Sequence, residues 1–226
     1  MDVIKKAIEQ GRKMLSEHES KKLLAAYGIP VTKERLARNV GELKQAASDI
    51  GYPMVLKGHS PSLAHKTEKG LIRVDIRNEQ EAIEAFNEIT ENVENNEKAV
   101  LVQEMIKGQR ELVVGLTRDP QFGPCVMFGL GGIFTEILKD ISFRVAPLEK
   151  HDALEMMREI KGHKILDAVR GMPAAEIDAL ADILMAVGRI GLENDEVKEV
   201  DINPLILKGS KPVAVDALVV METPHP

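Results

Sequence analysis

A polar run, Glu91 to Glu97, separates two textures in this sequence, and that change constrains the fold more than any single motif. Before it, helical and strand periods alternate. Val3 to Leu15 places Ile4, Ala7, Ile8 and Met14 at near-helical spacing. Ser20 to Tyr27 predicts a second helix stopped by Gly28, and Glu42 to Ile50 a third closed by Gly51. Met54 to Lys57 predicts a strand. Leu71 to Ile76 predicts a half-buried one, with Leu71, Arg73 and Asp75 outward and Ile72, Val74 and Ile76 inward. Asn78 then caps a helix carrying Ala82, Ile83, Phe86 and Ile89. After the run, strands follow one another at Val100 to Glu104, Leu112 to Thr117 and Cys125 to Phe128, and a glycine loop leads into Phe134 to Leu138. Helices at His151 to Ile160 and Ala174 to Gly188 precede strands at Val197 to Ile202, Leu205 to Leu207 and Val213 to Val220. The expected class is α+β: an N-terminal helix over 1–19, a small lobe over 20–97 and a larger, strand-rich lobe over 98–226.

Composition sets the chemistry of the core. Hydrophobic residues make up 44% of the 226, aromatics only 3%, and Trp is absent, so the interior is built from Val, Ile, Leu, Met and Ala. That proportion excludes a disordered or low-complexity chain. The single cysteine, Cys125, excludes a disulfide framework and a cysteine metal cluster, and it reads as a small core residue. A net charge of −6 and few aromatics argue against a nucleic-acid groove, which needs basic stripes and stacking platforms. The longest uncharged stretch, Pro120 to Thr135, holds four glycines and falls short of the roughly 18 apolar residues of a membrane span. The start of the sequence is charged throughout and has no apolar targeting core, so a cytoplasmic location without membrane contact is expected.

Four stretches carry chemistry. Lys57 closes an apolar strand, where an inward lysine is costly unless it meets an anion, and the loop SPSLAHKTEKG adds His65, Lys66, Lys69 and three hydroxyls. Read by itself that loop is either a phosphate site or a solvated surface loop with snorkelling lysines. VQEMIKGQRELVVG is either an ordinary hairpin or a hinge whose Glu104 and Met105 backbone meets an adenine edge while Glu111 accepts ribose hydroxyls. The GLGG loop, Gly129 to Gly132, allows close backbone approach to phosphate oxygens, or is a tight turn between buried strands. It is neither a G-x-x-x-x-G-K-[ST] loop nor a G-x-G-x-x-G fingerprint. Finally, EVDINPLIL and PVAVDALV set Asp201, Asn203 and Asp216 among aliphatics, hard oxygen donors of the kind Mg²⁺ takes alongside substrate phosphates. Asn-Pro is also a common turn opener.

Taken together, SPSLAHKTEKG, VQEMIKGQRE, RDPQFGP, FGLGGIFTEILKD with SFRVAPL, and DINPL resemble the ATP-grasp subunit of the ADP-forming acyl-CoA synthetases, related to the succinyl-CoA synthetase beta subunit. The resemblance runs from the helix at Ser20 to near Val220. It implies an ATP-grasp fold of two subdomains with nucleotide between them, and the reaction acyl-CoA + ADP + phosphate ⇌ free acid + CoA + ATP. It implies ATP or ADP and Mg²⁺ as cofactors, and a CoA-binding alpha subunit as partner in a hetero-oligomer. By this resemblance His65 is the loop histidine that ferries the phosphoryl group, and Asp201 the acid that steadies it. Lys57 lies on the nucleotide phosphates, Gln103, Glu104 and Met105 form the adenine hinge, and Glu111 holds the ribose. Gly131, Gly132 and Glu136 approach the nucleotide, and Asn203 and Asp216 are the metal ligands. The family often has paired glycines after the histidine loop, where this chain has Lys69-Gly70-Leu71.

The residue types suit that chemistry. Imidazole is both a nucleophile near neutral pH and a good phosphoryl leaving group. Lysines and Mg²⁺ neutralise charge on the transferring group. Two other function classes compete: a stand-alone ATP-grasp carboxylate–amine ligase, which needs no loop histidine, and a non-catalytic ATP-binding module.

Overall fold

The computed structural model describes residues 2–59, 71–93, 99–132 and 140–222, which group into two compact units. One is Thr32–Ile106, the other Met1–Val31 together with Lys107–Pro226. Both mix helix and sheet, as the sequence predicts. The joint lies elsewhere than the polar run, because the strand expected to open the second lobe hydrogen-bonds into the middle of the first sheet.

The smaller unit comprises β1 (Glu34–Ala37), α3 (Val40–Ile50), β2 (Met54–His59), β3 (Ile72–Ile76), α4 (Glu79–Asn92) and β4 (Ala99–Glu104). Its antiparallel sheet has the order β1-β4-β2-β3. Both helices begin at an asparagine whose side chain accepts an N–H three residues on, Asn39 from Glu42 and Asn78 from Glu81, at 2.9 Å each. Their apolar stripes, with Leu43, Ala46, Phe86 and Ile89, pack on Met54, Leu56, Val100 and Val102. The alternation expected over Leu71 to Ile76 holds at Ile76 but fails at Leu71, which is buried, and at Val74, which is 64% exposed. The cause is local. The pairing of β2 with β3 shifts register between Met54 and Leu56, and Asp75 adopts φ +57°, so the period-2 phase breaks.

In the larger unit α1 (Asp2–Glu9) and α2 (Glu17–Ala26) precede a hairpin-rich sheet. The sheet contains β5 (Glu111–Asp119), β6 (Gly123–Leu130), β7 (Ile141–Val145), β8 (Val197–Lys208), β9 (Lys211–Ala214) and β10 (Ala217–Met221), with α5 (Lys150–Glu159) and α6 (Ile177–Glu193) between β7 and β8. The order is β10-β8-β5-β6-β7, with β9 also on β8. Leu112, Val114, Leu116, Val126, Phe128, Val200 and Ile202 meet the aliphatic sides of α5, α6 and α2 in the main core. The first helix ends at Glu9 rather than Leu15 because Gly11 turns into the left-handed region, φ +69°. Gly28 closes α2 as expected, at φ +83°. Cys125 is a correction: it lies half-exposed on the sheet face opposite the helices, not in the core. Among the described residues no helix is long and apolar enough to cross a membrane.

The start of α2 is held by a capping box. Ser16 Oγ accepts the Glu19 N–H, the Glu19 carboxylate accepts the Ser16 N–H at 2.9 Å, and Arg12 forks onto it at 2.7 and 2.8 Å. Burial alone would raise the Glu19 pKa, but the hydrogen bonds from Arg12 and Ser16 prevail and lower it to about 2. A carboxyl depressed in the folded state stabilises above its unfolded pKa, and the contribution fades as pH falls from about 4.5 toward 2. Because the group is partly exposed and screened, Glu19→Gln should cost on the order of 1 kcal/mol at pH 7. In urea titrations the gap between the two midpoints should narrow steadily as pH is lowered from 5 to 3.

Candidate functional site

Four of the singled-out residues belong to the smaller unit. On β2, Met54 and Leu56 point into the helix-covered core, so the period of two turns Val55 and Lys57 to the other face. Val55 pairs with Gln103 and Lys57 with Leu101, which sets Lys57 diagonally beside Gln103 on that face. Both are buried, Lys57 at 5% and Gln103 at 1% exposure, as the inward lysine and strand-end amide require. Glu104 and Met105 are half-buried, and their N–H groups serve the fold: Glu104 donates to the Lys33 carbonyl at 2.9 Å and Met105 to that of Pro53 at 3.3 Å. The Glu104 carboxylate also accepts the Lys33 N–H at 2.8 Å. The hinge is therefore pinned to the entrances of β1 and β2.

Glu111 and the glycine turn come together in the larger unit. The Gly131 N–H donates to the Glu111 carbonyl at 2.8 Å. A Cβ on Gly131 would lie 2.9 Å from backbone atoms of Glu111 and Leu112. Gly132, at φ +64°, leaves room for the Glu111 carboxylate, whose Oε2 would be 2.8 Å from a Cβ there. Neither position admits a side chain without moving the carboxylate or its strand. The close approach seen here is to the protein's own strand, Glu111 and Leu112, as a tight turn between buried strands requires.

The third group lies on β8 and the segment before β10. Val200 and Ile202 face the core, leaving Glu199, Asp201 and Asn203 on the opposite, exposed face. Asn-Pro opens no turn: β8 runs unbroken through Asn203 and a cis Pro204. The strand expected over Val213 to Val220 is instead interrupted, and Asp216 sits in the break between β9 and β10. The Asn203 N–H donates to the Asp216 carbonyl at 3.2 Å, and the Asp216 carboxylate accepts the Ala217 N–H at 2.8 Å. Although part of the Asp201 side chain meets solvent, the protein packed around its carboxyl raises the pKa, and the nearby charges of Asp216 and Glu199 raise it further. Among the described residues no three His, Cys, Asp or Glu side chains converge as a preformed metal cage.

His65, Lys66, Lys69 and Glu136 lie outside the described residues. Two residues next to these groups escaped notice in the sequence. Arg110 is buried, and its guanidinium donates to four carbonyls, those of Ile165, Asp167, Pro173 and Gly209, at 2.7 to 3.3 Å. It thereby anchors the residue preceding Glu111. Asp140 is also buried and accepts the N–H groups of Lys161 and Gly162 at 2.7 Å each, fixing the strand that follows the glycine turn. The only sequence signal for either is a charge at the edge of an aliphatic strand.

Residues 6–221 match the ATP-grasp domain family. Over 225 residues the chain is 47% identical to the acetate–CoA ligase [ADP-forming] I subunit beta of Pyrococcus furiosus, covering 97% of each. It is 43% identical to acetate–CoA ligase [ADP-forming] I of Archaeoglobus fulgidus, covering 97% of this chain but 33% of that protein. Among solved structures it is similar to the acetyl-coenzyme A synthetase 1 of Ca. Korarchaeum cryptofilum, solved with coenzyme A and Mg-AMPPCP and with a phosphohistidine segment pointing towards the nucleotide binding site. That match has a TM-score of 0.88, 46% identity, and coverage of 98% and 99% of the two chains. By that family match and by these relatives, the chain belongs to the ATP-grasp family, in its branch of ADP-forming acetate–CoA ligase beta subunits.

Proposed function

We propose that this chain is the nucleotide-binding subunit of an ADP-forming acyl-CoA synthetase of the acetate–CoA ligase type, working with a CoA-binding partner. The reaction is acyl-CoA + ADP + phosphate ⇌ free acid + CoA + ATP. The observation that carries this reading is the match over 97% of both chains to a separate beta subunit. In the Archaeoglobus relative the matched region is a third of one longer chain, which fits a second functional part supplied in cis there and in trans here.

In this reading the partner forms an acyl phosphate and then a phosphohistidine. The His65 imidazole takes the phosphoryl group by forming a P–N bond as the partner's P–N bond breaks, then yields it to a β-phosphate oxygen of ADP. Asp201 orients the charged imidazole. Lys57 neutralises phosphate charge, at a buried strand position where that charge is not screened by water. Glu111 accepts the ribose hydroxyls, Gly131 and Gly132 let the backbone come close to the nucleotide, and Glu136 adds a contact. At the hinge the adenine meets Gln103, Glu104 and Met105, mainly through acceptor groups, since the Glu104 and Met105 N–H donors are engaged in the fold.

The donor set suits Mg²⁺. Asn203 and Asp216 offer hard oxygens, tied together by the Asn203 N–H to Asp216 carbonyl bond. When bound, the ion would draw charge from the phosphate oxygens. A cytoplasmic location fits nucleotide and CoA substrates.

His65→Ala, assayed with the partner subunit, should abolish acyl-CoA-dependent ATP formation, a loss on the order of a thousandfold or more, and should remove the acid-labile ³²P label from this chain. Retained ATP formation would overturn the shuttle. Gly132→Ala should raise the KM for ADP about tenfold and lower the thermal midpoint modestly, because the added Cβ displaces the Glu111 carboxylate and alanine is strained at φ +64°.

A further inference from the structure

Helix α2 buries a pair of charges that the catalytic reading does not use. Lys21 is 1% exposed, and its Nζ lies 3.0 Å from the equally buried Glu17 carboxylate one turn earlier. Two desolvated charges on a short helix are expensive, and apolar residues of similar size would commonly serve stability as well. What the lysine does besides pairing is specific. Its Nζ donates at 3.2 Å to the carbonyl of Val215, 194 residues away.

Val215 and Asp216 are the interruption between β9 and β10, where regular ladder pairing stops. The Val215 N–H reaches the Pro204 carbonyl at 3.0 Å, and the Asp216 carbonyl takes the Asn203 N–H. The Val215 carbonyl is bound by Lys21. The neighbouring α2 residue, Ser20, accepts the Val219 N–H at 3.2 Å, so the helix holds the chain on both sides of Asp216.

We propose that Lys21 is a positioning residue for the cation site. By holding the Val215 carbonyl, with Glu17 neutralising its charge, it fixes the backbone that presents Asp216, and with it Asn203, to a divalent cation. This rests on the reading of Asn203 and Asp216 as metal ligands. The hydrogen bond is the operative element, and the ion pair is the means of keeping a long donor in a dry place.

The test is binding of Mn²⁺ with ADP to the 226-residue chain, followed by the EPR signal of free Mn²⁺, beside metal-free ADP affinity and the thermal midpoint. The double variant Glu17→Leu/Lys21→Met removes the pair without leaving a lone buried charge. It should keep the midpoint and the metal-free ADP affinity, and bind Mn²⁺ roughly tenfold more weakly. Glu17→Gln/Lys21→Gln retains a neutral donor and should recover most of that loss. Asp216→Asn should lose Mn²⁺ binding. If the apolar double variant binds Mn²⁺ as the parent does while Asp216→Asn does not, the positioning role is wrong and the metal ligands stand. If Asp216→Asn itself binds as the parent does, the metal reading fails and the positioning role with it. Should the apolar double variant not fold, Glu17→Gln/Lys21→Met takes its place with the same two outcomes.

Discussion

Strand β8 must satisfy both faces of the larger sheet at once. Its ladder bonds to β5 on one side and to β9 and β10 on the other hold it on both edges except around Asn203 and Pro204. Alternation then leaves no freedom in where its side chains go: Val200 and Ile202 enter the core, so Glu199, Asp201 and Asn203 must stand together on the other face. A slip of one residue would put carboxylates into an aliphatic core, at several kcal/mol each. The register that stabilises the fold is thus the register that crowds the acids. Burial of the Asp201 carboxyl raises its pKa first, and the crowding of Asp216 and Glu199 raises it further.

Buried charge elsewhere is satisfied largely by backbone rather than by opposite charge. Arg110 donates to four carbonyls, and Asp140 accepts two N–H groups. Lys21 adds a carbonyl to its carboxylate partner. Each binds a stretch of irregular chain that cannot enter a sheet ladder, and such groups must be paired when buried. A charged donor also makes stronger bonds than a neutral one. The irregular chain at Lys161–Gly162, Asp167, Pro173, Gly209 and Val215 is tied to the fold in this way.

Much of this was legible in the sequence. The caps at Asn78 and Gly51, the inward Lys57 and the cluster of β8 acids follow from period and residue type alone, since each depends on neighbours within a few positions. What was not legible depends on distant partners. The β3 phase broke because of a bulge against β2, and β4 joined the smaller sheet although the polar run precedes it. Asp216 lies in a strand break because Val215 finds its partners at Pro204 and Lys21, which no local pattern encodes. The capping box of α2 was likewise hidden, as Ser16 and Glu19 fall just before the apolar run that marks the helix.

Each group of candidate residues is held within one compact unit and by a different physical means. Lys57 and Gln103 are fixed by strand register over an aliphatic core. Glu111 is fixed sterically, by two glycines that leave its carboxylate the space a Cβ would take. The β8 acids are fixed by alternation and by the pinned backbone at Asp216. An aliphatic interior with 3% aromatics packs around these points by shape and supplies no polar contact of its own. Orientation of the functional groups therefore falls to backbone hydrogen bonds and glycine contacts, and substitutions at those points should disturb the chemistry before they disturb the fold.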